Sequence, residues 1–220
     1  MQLRNVTVAD MAAAREMRAQ KQKQLLDEYD LPLVSFSLNI PGAIKTNDLY
    51  EWAFEAGVIR INATCLKNNF EIAFSCQTSA FTGSEYYALI RADALAIKKA
   101  MVQIEEADML GRIFDIDVIA PKSESSDCHS ICLLSNDSAH SDGNSMQDNS
   151  ANVTDSIACN SRDSFTNFAG RKVTRAHIHM PERTCLLCSD NAYECARSRA
   201  HSVEELIAAI DTIICKCRGV

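Results

Sequence analysis

Apolar and polar positions change period several times along this chain, and each change marks an element. In the opening segment, through about Tyr29, Val8, Met11, Ala12, Met17 and Leu25-Leu26 are interleaved with Arg, Lys and Gln. Neither Gly nor Pro interrupts them, which predicts a helix. Leu33 to Leu38 alternates and halts at Pro41-Gly42, as a strand does. Thr46 or Asn47 is placed to cap a helix through Phe54, Gly57 is expected to interrupt it, and a second helical stretch is expected from Ile59 to Lys67. Val58-Ile59-Arg60-Ile61 equally suits the start of a strand. Phe70 to Thr78 and Tyr86 to Ile90 are expected as strands joined by a turn at Thr82-Gly83-Ser84. Asp93 then opens a helix through about Glu106, with Ala94, Ile97, Ala100, Met101 and Ile104 on one face. A β-prone run from Gly111 to Ile119 follows.

The order strand, helix, strand, strand, helix, strand predicts an α+β fold built on the split βαβ sheet of ferredoxin-like proteins, preceded by the N-terminal helix. One sheet face is expected to lie under helices and the other to remain available for a site. After Pro121 the composition turns abruptly to Ser, Asn and Asp. Such a segment buries too little apolar surface to offset the entropy of ordering, so residues 122–160 are expected to be a disordered insertion into the 1–121 core. Residues 161–220 are expected to form a Cys- and Arg-rich helical module packed on that core. It closes with a helix from about Ser202 to Cys217, capped by Ser202 with Glu205 three residues on.

With 220 residues, 47% of them hydrophobic, the chain is long enough for one substantial core. No apolar run approaches the roughly 20 residues of a membrane span, and the N-terminus lacks the order of a secretory signal, so a cytoplasmic protein without membrane partners is expected. Ten cysteines in that compartment are free thiols or metal ligands rather than disulfides. The formal charge of −7 is uneven. Glu124, Asp127, Asp137, Asp142, Asp148 and Asp155 concentrate it in the Ser-rich stretch, whereas Arg162, Arg171, Lys172, Arg175, Arg183, Arg197 and Arg199 make the following segment basic. A polyanionic substrate suits that segment better than the whole-chain charge implies.

The candidate chemistry begins in Gly111-Arg112-Ile113-Phe114-Asp115-Ile116-Asp117-Val118-Ile119. Side chains two apart on a strand point the same way, so Asp115 and Asp117 share one sheet face. Ile113 and Ile119 are expected to bracket them there, and two partly covered carboxylates repel unless a positive charge lies between them. A divalent cation answers that need. Mg²⁺, held by carboxylates plus a substrate's phosphate oxygens, points to phosphoryl or nucleotidyl transfer, with Arg112 beside it for a leaving phosphate. A solvated edge strand is the alternative reading. The acid alternation resembles the strand of nucleotidyltransferases, but the Gly-Ser pair those enzymes carry shortly upstream is missing. Gly83-Ser84 is distant in sequence.

Cys185-Leu186-Leu187-Cys188, then Cys195 after six residues and His201 after five more, supply ligands for a tetrahedral structural zinc. Buried thiols or a Cys-His catalytic couple are the competing readings. Arg183, Arg197 and Arg199 gather around the same knot, where guanidinium groups can grip phosphate oxygens.

Taken together, Gly-Arg-Ile-Phe-Asp-Ile-Asp-Val, Ser161-Arg162-Asp163, Pro181-Glu182-Arg183-Thr184-Cys185-Leu186-Leu187-Cys188 and Cys195-Ala196-Arg197-Ser198-Arg199-Ala200-His201 resemble the CitX-type apo-citrate lyase phosphoribosyl-dephospho-CoA transferases. Pro32 to Phe36 and Pro41 to Lys45 fit as well. The resemblance implies a nucleotidyltransferase that moves the group from triphosphoribosyl-dephospho-CoA to a serine of the citrate lyase acyl carrier (gamma) subunit, releasing diphosphate. Asp115 and Asp117 would then hold Mg²⁺, Arg112 would stabilise the leaving group, and Arg162, Arg183, Arg197 and Arg199 would take the remaining phosphates. Family members pass from the acidic strand to Ser-Arg-Asp over a short connection, which the Ser/Asn/Asp stretch lengthens here. Two rivals remain: the same chemistry on another carrier, such as that of malonate decarboxylase, and a non-enzymatic zinc-knot adaptor for a polyanionic partner. Nothing supplies the aromatic platform of a nucleic-acid binder, so no nucleic-acid partner is expected.

Overall fold

The computed structural model describes residues 4–121 and 170–219. The insertion expected over 122–160 and the Ser161-Arg162-Asp163 block lie outside these residues. The elements run α1 (Val8–Tyr29), β1 (Leu33–Leu38), α2 (Asp48–Lys67), β2 (Glu71–Ala80), β3 (Gly83–Arg91), α3 (Ala94–Glu106), β4 (Phe114–Ala120), β5 (Arg171–Val173), α4 (Ala192–Ser198) and α5 (Val203–Arg218). The mixed α+β architecture matches the reading of the sequence.

Five strands form one sheet in the order β2-β3-β1-β4-β5, with every neighbouring pair antiparallel. Strand β1 is central, placing Ser37 between Glu85 on β3 and Asp115 on β4. At the far edge, Ala120 pairs with Arg171 and Val118 with Val173, so the chain re-enters the sheet beside the point where it left.

Local chemistry sets the helix starts. Thr7 and Asp10 form a capping box at α1, Ser202 and Glu205 another at α5, while Asn47 and Asp93 each accept a backbone N–H at the start of α2 and α3. Gly57 does not break α2, which is continuous. A Cβ built there would lie 2.3 Å from the Phe36 ring, so this glycine lets α2 press onto the sheet. Phe36 in turn stacks on Phe54 and meets Phe114 edge-on, with ring centroids 5.2 and 5.3 Å away.

The two sheet faces differ. Val34, Phe36, Ala88, Ile90, Phe114, Ile116 and Val118 face α2, α3 and α5 in the main core. The opposite face is covered, rather than open, by the C-terminal half of α1, whose Leu25 and Leu26 pack on Leu33, Tyr87, Leu89 and Ile119. Only Gln22, Leu25 and Leu26 of α1 are buried, so its N-terminal half runs over a polar part of the sheet. Gln22 bridges the two regions by donating to Ser35 Oγ at 2.9 Å.

Gly57→Ala tests the α2 contact. Alanine favours a helix by about 1 kcal/mol, but displacing the stacked Phe36 ring is expected to cost more, leaving a net destabilisation on the order of 1–2 kcal/mol. Thermal denaturation of the variant reads this as a lowered Tm.

Candidate active site

Asp115 and Asp117 share the α1-facing side of β4, as their spacing predicts. Ile119 lies on that side with them, but Ile113 does not. It belongs to a 3-10 turn, Gly111–Ile113, and packs into the opposite core because the strand starts only at Phe114. The place expected of Ile113 is left to polar groups.

Lys172 of β5 supplies a positive charge beside the acids. Its Nζ lies 2.8 Å from Asp117 Oδ1, and both side chains keep some exposure, 57% and 28%. Burial works against the Lys172 ammonium, but the charge and hydrogen bond of Asp117 outweigh it and raise its pKa. Asp115 is less well served. Burial, then the Asp117 charge, push its carboxyl above the usual carboxylate range despite opposing pulls from Lys172 and Arg183. Hard oxygen donors, one of them short of positive charge, are a donor set that fits a divalent cation.

Asp115 also lines a polar cavity of about 250 Å³ between α1, the loop after β1 and the β2–β3 turn, together with Arg15, Arg18 and Lys45. Arg18 Nε donates to Glu85 Oε1 at 2.6 Å, and Tyr87 donates to the other oxygen of that carboxylate. Gly83 and Ser84 line the same cavity, although they are some thirty residues from the acidic run in sequence. The sheet places the turn close to β4 through β1.

The outer edge of β4 is the second feature. Strand β5 pairs only with residues 118–120, and side chains satisfy the remaining groups. Glu105 Oε1 accepts the Ile116 N–H at 3.2 Å and Lys98 Nζ donates to the Ile116 carbonyl at 3.0 Å. Arg183 donates to the carbonyls of Phe114 and Arg112 at 3.0 and 2.8 Å. Arg175 closes the network on Glu105 Oε2 at 2.9 Å, and both partners are nearly inaccessible to solvent. Burial lowers the Lys98 pKa, with Glu105 and Asp117 pulling the other way.

The cysteine module gathers as its spacing predicts. One ligand atom each from Cys185, Cys188, Cys195 and His201 falls within 4.8 Å of all the others. The Sγ atoms of Cys185 and Cys195 are 3.3 Å apart, those of Cys188 and Cys195 are 3.9 Å apart, and His201 Nε2 is 3.3 Å from Cys188 Sγ. This Cys3His cluster could hold a metal ion. Burial raises the Cys185 thiol, but the backbone N–H groups of Leu187 and Cys188 outweigh it and bring the pKa to about 7, favouring thiolate.

Arg112 does not reach the acids, and Arg183 acts on Asp115 only through its charge. Arg112 Nη2 donates to the Thr184 carbonyl, Thr184 Oγ1 and the Cys185 carbonyl at 3.0, 2.9 and 2.8 Å, tying the start of β4 to the cysteine knot. Both line a groove of about 870 Å³ between the knot, α3 and α5, which Arg199 and His201 also border. Arg197 and Arg199 are exposed, and Arg162 lies outside the described residues. Asn39 borders both cavities. The sequence alone does not single out Lys98, Glu105 or the Arg15-Arg18-Lys45 group, and it places Lys172 and Arg175 only within the basic segment, without their partners. Lys98 and Glu105 left a signal, being charges within the apolar stripe of α3.

Fold and site define an α+β protein whose acidic strand sits beside a cavity lined by cations, suited to a polyanionic substrate. The chain belongs to the apo-citrate lyase phosphoribosyl-dephospho-CoA transferase family, whose sequence profile matches residues 6–160 and 162–217. A Vibrio cholerae serotype O1 (strain M66-2) protein named "Probable apo-citrate lyase phosphoribosyl-dephospho-CoA transferase" is 31% identical over 209 residues, spanning 94% of this chain and 90% of that protein. The apo-citrate lyase phosphoribosyl-dephospho-CoA transferases of Citrobacter koseri and Escherichia coli O139:H28 are each 25% identical, over 95% of this chain and 88% of theirs. Among the described residues, no helix is long and apolar enough to cross a membrane.

A carboxyl whose folded pKa is raised contributes stability below its unfolded pKa and loses it as pH rises through the folded one. Asp115→Asn removes the charge that is disfavoured at neutral pH. The variant is expected to melt above the wild type at pH 7, with the gap closing as pH falls and the native carboxyl takes up its proton. Melting curves from pH 4 to 8 test this, and an equal or lower Tm at pH 7 contradicts it.

Proposed function

We propose that this chain transfers the phosphoribosyl-dephospho-CoA group to apo-citrate lyase, using triphosphoribosyl-dephospho-CoA as donor and a serine of the acyl carrier (gamma) subunit as acceptor. The observation that carries the chemical reading is the paired, partly buried carboxylates of β4 next to a cation-lined cavity. In the reaction the serine oxygen bonds to the α-phosphorus, the bond from that phosphorus to the bridging oxygen breaks, and the electron pair leaves with diphosphate. The serine proton passes to water.

Asp115 and Asp117 would hold Mg²⁺, which when bound offsets the charge that develops on the phosphates. Lys172, paired with Asp117, would offer a phosphate oxygen a cation in the same region. The larger groove lies within the roughly 300–1,000 Å³ range of organic-ligand pockets, and we assign it to the dephospho-CoA portion. Arg112 and Arg183 line it and brace its wall through backbone carbonyls. Exposed Arg197 and Arg199, with Arg162, are the candidates for its phosphates.

Cys185, Cys188, Cys195 and His201 would hold a structural Zn²⁺. Tetrahedral zinc with Zn–S near 2.3 Å sets its sulfurs about 3.8 Å apart, close to the thiol spacings here. The metal would fix the carbonyls to which Arg112 donates. A reduced thiol cluster of this kind supports a cytoplasmic location. The strand order, with antiparallel neighbours throughout, supports the split βαβ arrangement of ferredoxin-like sheets.

Intact-mass analysis of the purified carrier subunit tests the reaction. A gain equal to the transferred group is expected only when this chain, the donor and Mg²⁺ are all present. Asp117→Asn should slow the gain by about a hundredfold or more while the protein stays folded. Near-normal turnover of the folded variant refutes the role given to the acid pair. Metal analysis of protein purified without chelator should return about one zinc per chain. Cys188→Ser should lower both zinc content and Tm, and a zinc-free native protein would remove that assignment.

A further inference from the structure

Among the side chains around the smaller cavity, two cations are poorly compensated. Arg15 stands on the exposed face of α1, spaced with Met11 and Arg18 along one helix stripe, and forms no ion pair with a described residue. Lys45 is half-buried across from it. Its Nζ donates to the Ile40 carbonyl, which leaves two of its three N–H donors uncommitted. Burial first, and then the Arg15 charge, lower the Lys45 pKa, so like charges converge here at an energetic cost. Arg18 is already answered by Glu85, and Glu51 accepts from Ser84. The charged groups of this cavity without an ion-pair partner among the described residues are therefore Arg15 and Lys45 on one side and Glu51 and Asp115 on the other.

We infer that this cavity is the diphosphate subsite, in which Arg15 and Lys45, with Arg18 also on the cavity wall, bind the two terminal phosphates of the donor and retain them as the leaving group. The inference rests on the transfer reaction proposed above and specifies which cations serve it. Three features support it. The cavity's volume, about 250 Å³, falls below the usual range for organic ligands and suits a small polyanion. Asp115 borders it, so a divalent cation on the acid pair would lie against bound phosphate oxygens. Asn39 borders this cavity and the larger groove alike, which lets one elongated donor extend from one to the other. The leaving group would then be held from the side of α1, and the arginines of the cysteine module would be reserved for the rest of the donor.

The test uses the full chain and inorganic diphosphate with Mg²⁺, followed by calorimetry. Wild-type protein should bind diphosphate and bind orthophosphate at least tenfold more weakly. The double variant Arg15→Gln, Lys45→Gln should lose diphosphate affinity by tenfold or more. Its Tm should match or exceed the wild type, because neither side chain is part of the core and the substitution relieves their mutual repulsion, and its dephospho-CoA binding should not change. Each single variant should show a smaller loss, which keeps the test valid if the double variant folds poorly. The assignment is overturned if wild-type protein fails to bind diphosphate, if orthophosphate binds as well, or if the folded variants bind diphosphate as the wild type does. Absence of transfer to the carrier subunit, with diphosphate binding present and lost in the variants, would sink the proposed reaction and leave this subsite standing.

Discussion

Strand β4 has to satisfy three unlike surroundings at once, and this requirement organises the molecule. One face is wholly apolar and joins the core, the other carries two carboxylates, and its outer edge has a partner strand for only part of its length. A buried N–H or C=O left without a partner costs about 1–3 kcal/mol, so the unpaired stretch needs substitutes. Glu105, Lys98 and Arg183 provide them, reaching across from α3 and from the segment before the cysteine knot. Buried charges need partners in turn, which brings Arg175 onto Glu105. The edge of one strand thereby recruits a helix and the C-terminal segment to the same place.

The carboxylate face follows a different logic. Helix α1 lays leucines over the apolar half of that face and arginines over the polar half, so one helix serves as both lid and electrostatic wall. Asp117 is matched by Lys172, while Asp115 remains underpaired and its carboxyl resists ionisation. A stability-optimised protein would not keep a carboxylate in that position. Underpaired, partly buried carboxyls of this kind are common at functional sites, which supports the metal-binding role proposed for Asp115.

Much of this was legible in the sequence because it is local. Helix starts at Asn47, Asp93 and Ser202 depend on side chains within three residues of the bonds they make. The shared face of Asp115 and Asp117 depends only on strand pleat, and the gathering of Cys185, Cys188, Cys195 and His201 on short spacing. What escaped is what the sheet assembles at long range. Lys172 reaches Asp117 through a three-residue strand too short to show a period, and Arg15 meets Lys45 across a cavity with no sequence motif. In the sequence Gly57 reads as a helix breaker because helix propensity is a local quantity, whereas its role is set by the Phe36 ring on another element. Arg112 lies next to the acids in sequence yet points away, because a 3-10 turn intervenes before the strand begins.

The pairing of Ala120 with Arg171 has a consequence for the chain between them. Both ends of that connection are fastened at one point on the sheet margin, so its length does not enter the geometry of β4 or of the cations around it. The closure entropy of a connection grows only logarithmically, by about 0.6 kcal/mol for each doubling of length. Insertions and deletions at this junction are therefore nearly neutral for the architecture, and homologous chains can diverge there in size while conserving the sheet around the acids.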